Sequence, residues 1–155
     1  MARLSDLPEW ERHHHLDKIS ALPDYGVTPY VSGPPLNQRR VAIVTSAGLH
    51  VLGDRPFEVA SADYRIIPGD APAAEVVMSH ISVNYDRSGF QEDINVVFPL
   101  DRLRELAAEG VIGSVAATHY SFMGATDPVQ MEDYARDVAA RLKSDGVDAV
   151  LLSPV

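Results

Sequence analysis

From Ser79 to Leu106 the chain reads SHISVNYDRSGFQEDINVVFPLDRLREL, with His80, Tyr85, Asp86, Arg87, Glu92, Asp93 and Asn95 crowded between two apolar segments. A loop that leaves a strand and enters a helix is where α/β folds place their chemistry. His80 follows the apolar run 75–79, and His119 follows another at 115–118. Histidines at two strand ends can serve as acid, base or substrate-orienting groups near neutral pH. The plainer reading is that each imidazole bonds to backbone. Asp86 is the third catalytic candidate, as a loop carboxylate that could orient a histidine. Asp93 and Asn95 abut an apolar segment, which makes them candidates for substrate binding and equally for Asx-type turns that tie the loop down. Glu92 reads as solvated charge.

The second candidate region is Ser46-Ala47-Gly48, directly after RVAIVT. Small residues there let the backbone approach a bound substrate closely. No GxGxxG fingerprint is present, so a dinucleotide has no support. Neither Ser46 nor Ser79 sits in a G-x-S-x-G elbow. His13, His14 and His15 would point about 100° apart on a helix and cannot converge on one metal. His80, His119 and Asp86 lack the dense spacing of a zinc set, so no metal site is expected. Tyr120, Phe122 and Met123 read as core more readily than as pocket lining.

These groups need elements to hold them. Residues 1–20 read as a surface helix or arm, and 21–38, rich in Pro and Gly, as an extended lead-in. Strands are expected at 40–45, 64–67, 75–79, 115–118 and 147–152, short apolar runs bounded by turn signals. Helices are expected from Asp101, read as an N-cap, to Glu109, and after Asp127-Pro128. The second helix has a stripe of Met131, Tyr134, Ala135, Val138 and Leu142 to bury, and Gly146 to stop it. Strand, helix, strand, helix, strand predicts an α/β fold, Rossmann-like and three-layered around a mostly parallel open sheet. The expected division is an N-terminal arm over 1–39 and an α/β domain over 40–155. In such a sheet the ligand crevice lies outside the carboxyl ends of the strands.

With 155 residues, 46% of them hydrophobic, the chain can build a single core. A formal charge of −9 argues against nucleic acid or an anionic membrane as partner. No run approaches the roughly 20 apolar residues of a membrane span, and the first residues lack a signal-peptide core, so a cytoplasmic protein is expected. There is no cysteine, which excludes disulfides and a cysteine nucleophile from these residues.

Five stretches resemble the selenoprotein B family, which comprises the glycine, sarcosine and betaine reductase B components and a D-proline reductase subunit. They are RVAIVTSAGLH (40–50), YRIIP (64–68), SHISVNYD (79–86), EDINVVFPLDRLRELAAEGVIGSVAATHYSFMG (92–124) and ARLKSDGVDAVLLSPV (140–155). The resemblance implies reductive cleavage of a C–N bond in a small amino-acid-like substrate, an oxidoreductase of the CH–NH class with a disulfide acceptor. It implies dithiol or thioredoxin electrons, other reductase subunits as partners, and an oligomer. The family's redox residue is a selenocysteine, or cysteine in some relatives, in a short U/C-x-x-C-type motif directly after the strand matching 147–152. That residue maps onto nothing here and is expected after Val155 or in a partner, so the 155 residues alone are expected to be inactive. A selenocysteine codon read as termination, a genuine short subunit and a chain cut by design each account for this. No cofactor is expected within the chain; a pyruvoyl group, where a family system uses one, comes from another chain. The competing expectation is a non-catalytic small-ligand-binding or assembly subunit of such a complex.

Overall fold

The computed structural model describes residues 3–24, 26, 27, 31–83 and 85–155, so part of the expected lead-in lies outside the described residues. The chain forms two units, Met1–Val31 and Ser32–Val155. In the first, α1 (Glu9–Ser20) carries Glu9 and Glu11 in its first turn and Lys18 in its last, signs that suit the helix dipole. None of its residues is buried within the protein, and Trp10 is 74% exposed.

The second unit is organised on β1 (Arg40–Thr45). One edge of β1 pairs in parallel with β7 (Ala149–Ser153) over five residues. Its other edge pairs in parallel first with β5 (Ser114–Val115) and then with β6 (Thr118–Ser121). The antiparallel strand β3 (Arg65–Pro68) lies on the far side of β6. The fold is therefore α/β, with a mixed, mostly parallel sheet.

Three expectations about the elements are corrected. The run at 75–79 supplies β4 (Val76–Met78), which leaves the main sheet and pairs antiparallel with β2 (Leu49–Val51). At three residues, β2 is too short to show a period in the sequence. The run at 115–118 is two short strands with a break at Ala116 and Ala117, so His119 lies inside β6 and not at a strand's carboxyl end. Asp101 is not the N-cap: after the short α2 (Ser88–Glu92), α3 (Leu100–Ala108) begins before Asp101, following Pro99. Asp127 does cap, accepting from the Val129 N–H, and a 3₁₀ turn leads into α4 (Glu132–Ser144).

Successive side chains of a strand face opposite ways, so the unbroken apolar run of β1 serves two cores. Val41 and Ile43 join Leu49, Ile67, Phe98 and Leu103 of α3. Ala42 joins Tyr120, Phe122 and, from α4, Val138 and Leu142. The stripe of α4 is buried only there; Tyr134 and Ala135 are exposed and Met131 is half-buried.

Candidate functional site at the carboxyl end of β1

The end of β1 is a meeting point of four segments. The Ser46 N–H donates to Ser153 O, the Gly48 N–H to Phe122 O and the Gly124 N–H to Ser46 O. Ser46 Oγ accepts from the Val155 N–H at 2.9 Å. The Ser79 N–H donates to Gly48 O, which brings His80 alongside. Gly48 has φ of +65°, and a Cβ on it would lie 3.0 Å from the backbone N and Cα of His80. The turn needs glycine for its conformation and for this approach. Gly124 is equally tight, its missing Cβ 2.9 Å from Ser46 O and Val155 O.

His80 is buried, its ring centroid 4.9 Å from that of Tyr85. Its Nδ1 accepts from the Ser82 N–H at 3.2 Å, which leaves the proton of the neutral ring on Nε2. Burial, and secondarily the Arg87 guanidinium, lowers the His80 pKa, so the neutral ring is the form at pH 7. The buried Nε2 has no hydrogen-bond partner among the described residues, and neither has the Tyr85 hydroxyl. Arg87 donates to the carbonyls of Ser82, Tyr85 and His80 and so clamps this loop. Polar groups buried without partners are rare, and two side by side suit a ligand's polar atoms.

Of the sequence-derived candidates, Ser46, Ala47, Gly48 and His80 are brought together. All three N–H groups of Ser46-Ala47-Gly48 already donate, that of Ala47 to Thr45 Oγ1. Asp86 is exposed and accepts from the Ser88 N–H and hydroxyl, bonds that hold its carboxyl below the usual range. Asp93 accepts from the N–H and side-chain amide of Asn95, with the same effect on its pKa. Asn95 in turn donates to the Asp101 carboxylate and accepts from the Asp101 N–H, pinning the loop to the first turn of α3. Among the described residues no hydrogen bond or ion pair joins Asp86, Asp93 or Asn95 to His80. Replacing Asn95 with alanine is expected to lower stability by about 1–2 kcal/mol, because an amide N–H at a helix start loses its acceptor. Urea unfolding monitored by circular dichroism measures this, and an unchanged midpoint would show the pin to be idle.

His119 lies elsewhere. It is fully buried, its Nδ1 accepts from the Ile43 N–H at 2.9 Å, and its ring meets Phe98 in a T-shaped contact. It fills the gap in the β1 ladder between the stretches paired with β5 and β6. Burial chiefly, with Arg104 adding to it, lowers its pKa to about 4. The alternative zinc set of His80, His119 and Asp86 is therefore not gathered.

The partners of His80 were missed in the sequence. Tyr85 and Arg87 stood out as titratable loop residues, but nothing in their spacing says that a clamped loop folds Tyr85 onto the imidazole.

A family model described as glycine/sarcosine/betaine reductase selenoprotein B matches residues 24–155. The chain is similar to the D-proline reductase subunit gamma of Acetoanaerobium sticklandii, at 40% identity over 76% of this chain and 49% of that protein. It is 34% identical to the sarcosine reductase complex component B subunit beta of Peptoclostridium acidaminophilum, over 82% of this chain and 30% of that one. The glycine reductase complex component B subunit gamma of Carboxydothermus hydrogenoformans is 30% identical over the same shares. The chain thus spans half or less of the length of these relatives. No solved structure matches it. No described helix is long and apolar enough to cross a membrane.

Proposed function

Because the chain belongs to the glycine/sarcosine/betaine reductase selenoprotein B family, we propose that it is a component of an amino-acid reductase complex. The complex would cleave the C–N bond of a small amine or amino acid of the glycine, sarcosine, betaine or D-proline kind. The observation that supports this most is the convergence of Ser46–Gly48, His80, Gly124 and Val155 at the carboxyl end of β1. A selenocysteine or cysteine following Val155 would emerge at that edge, and a partner could present one there. Its selenolate or thiolate would supply a nucleophile that is strong at neutral pH.

The residues of this chain support that group. In the displacement the selenolate or thiolate would bond to the substrate carbon as the C–N bond breaks, the nitrogen would leave with that bond's electron pair, and the neutral His80 Nε2–H would hydrogen-bond to it. Ser46 exchanges its bond with Val155 for the substrate carboxylate, while Ala47 and Gly48 keep the wall beside it low. Asp86 and Asp93, held in their own turns, shape the loop that carries His80, and Asn95 pins that loop to α3. His119 acts from within the sheet as a positioning residue, holding β1 and β6 in place. A thioredoxin or a small dithiol returns two electrons and is oxidised to its disulfide. Any pyruvoyl group comes from another chain. The domain over 40–155 completes a Rossmann-like, three-layer fold in the assembled enzyme, with 1–39 as an arm, in an oligomer with other subunits in the cytoplasm.

The test uses the protein purified from its native source with whatever subunits accompany it. Glycine, sarcosine, betaine and D-proline are each offered with dithiothreitol, and reduced product is measured. Turnover on one of them, lowered at least tenfold in kcat by His80→Ala, supports the reading; turnover on none overturns it. The absence of cysteine from these residues favours a second reading, a non-catalytic ligand-binding or assembly subunit. Calorimetric binding of one of the four compounds without dithiol-dependent turnover would favour it.

A further inference from the structure

We propose that the outer edge of β7, with the cleft beside it, is a docking surface for a further parallel strand. Its occupant is the part of a selenoprotein B polypeptide that lies outside the stretch this chain shares with its relatives. The inference rests on family membership and not on the catalytic reading.

The sequence of β7, Ala-Val-Leu-Leu-Ser, is that of a strand buried on both faces, without charge or proline. Among the described residues it pairs only with β1. Val150, Leu151 and Leu152 are 40%, 39% and 69% exposed, although alternate residues face opposite sides of the sheet. Both faces are therefore partly open, although Ala149 packs on the core. Outer strands are ordinarily protected by charge, proline or cover. The opposite outer strand, β3, ends in Pro68 and has the 55–56 segment tied to it by the buried Arg65, which donates to the Arg55 and Pro56 carbonyls; β7 has neither.

Beside Leu152 lies an apolar cleft of about 340 Å³, lined by Val44, Phe122, Met131 and Ala135 and reaching Ser46 and Ser153 at the end of β1. Met131, in the turn before α4, and Ala135 belong to the stripe that helical periodicity marks for burial; Met131 is half-buried against the Ala42 core and Ala135 is exposed. The uncovered part of that stripe and the partly open strand are thus one continuous surface. β1, β5, β6 and β7 all run the same way, and a further parallel strand on β7 would continue that run. The relatives supply the length: this chain accounts for 49% of one and 30% of another, so each has further chain that could provide a strand.

The experiment compares two proteins by backbone hydrogen exchange. One is the 155-residue chain. The other is a chimaera in which these residues replace the matched stretch of the Acetoanaerobium sticklandii D-proline reductase subunit gamma. Amides of 149–153 are expected to exchange at least tenfold more slowly in the chimaera. A folded chimaera with unchanged exchange there overturns the proposal. The 155-residue chain is also read alone: it is expected to be monomeric and to bind an apolar dye that Leu152→Asp displaces, with little change in unfolding midpoint. A dimer whose β7 amides are protected would assign the surface to a second copy and overturn the proposal. So would a large loss of stability in Leu152→Asp. None of these readouts depends on reductase turnover, so docking and catalysis fail separately.

Discussion

Replacing His119 with alanine is expected to remove about 3–4 kcal/mol of folding stability at pH 7, read as a lower urea midpoint. Two losses combine. The Ile43 N–H, deep in the sheet, loses the imidazole that accepts from it. The ring also leaves a void against Phe98. His119→Phe separates the two, since it restores bulk but not the acceptor, and it is expected to recover less than half of the loss. The same group predicts a pH dependence. Burial holds the pKa at about 4 against an ordinary value of 6.5, so the unfolded chain takes the proton first as the pH falls. Stability from this group is complete above pH 6.5 and drains away towards pH 4, by about 3 kcal/mol in all. The check is the slope of unfolding free energy against pH for the native protein and for His119→Phe. Equal slopes between pH 6.5 and 4 would show that His119 is not the group responsible.

Gly48→Ala is expected to cost about 2–4 kcal/mol, and to do so at the candidate site. The backbone at +65° disfavours any side chain by about 1–2 kcal/mol. The added methyl would in addition meet the backbone of His80 at 3.0 Å. Only movement of the 79–80 segment relieves the contact, so the imidazole shifts with it. Thermal unfolding measures the first effect. The second appears as a changed chemical shift and titration of the His80 ring in NMR. A variant that unfolds earlier with an unaltered His80 signal would mean that the turn and the histidine are not coupled.

What could be read from the residues, and what could not, divides along physical lines. The run RVAIVT declared a strand buried on both faces, and β1 is one. Asp127-Pro128 declared a helix start because a cap and a proline act locally. Strand partners are set by contacts between distant segments, and those left no mark: β4 looked like β1 in composition yet pairs with β2 outside the main sheet. His119 was misplaced because a two-residue gap in a ladder has no composition of its own. The turn at Ser46–Gly48 was legible from its small residues. That its amides are already spent was not, because their acceptors come from Thr45, Phe122 and Ser153. Asp93 and Asn95 showed the opposite case, an Asx turn written in adjacent residues.

The place of β1 at the centre of the sheet also governs how the protein is made. Its longest pairing is with β7, and Thr45 bonds to Ser153 across 108 residues. Closing a loop of that length costs about 4 kcal/mol of chain entropy before any pairing repays it. During synthesis β1 leaves the ribosome early and waits for that partner, with one apolar edge open. Folding should therefore be slow for the size of the domain. The waiting strand is where chaperones would be expected to bind the nascent chain.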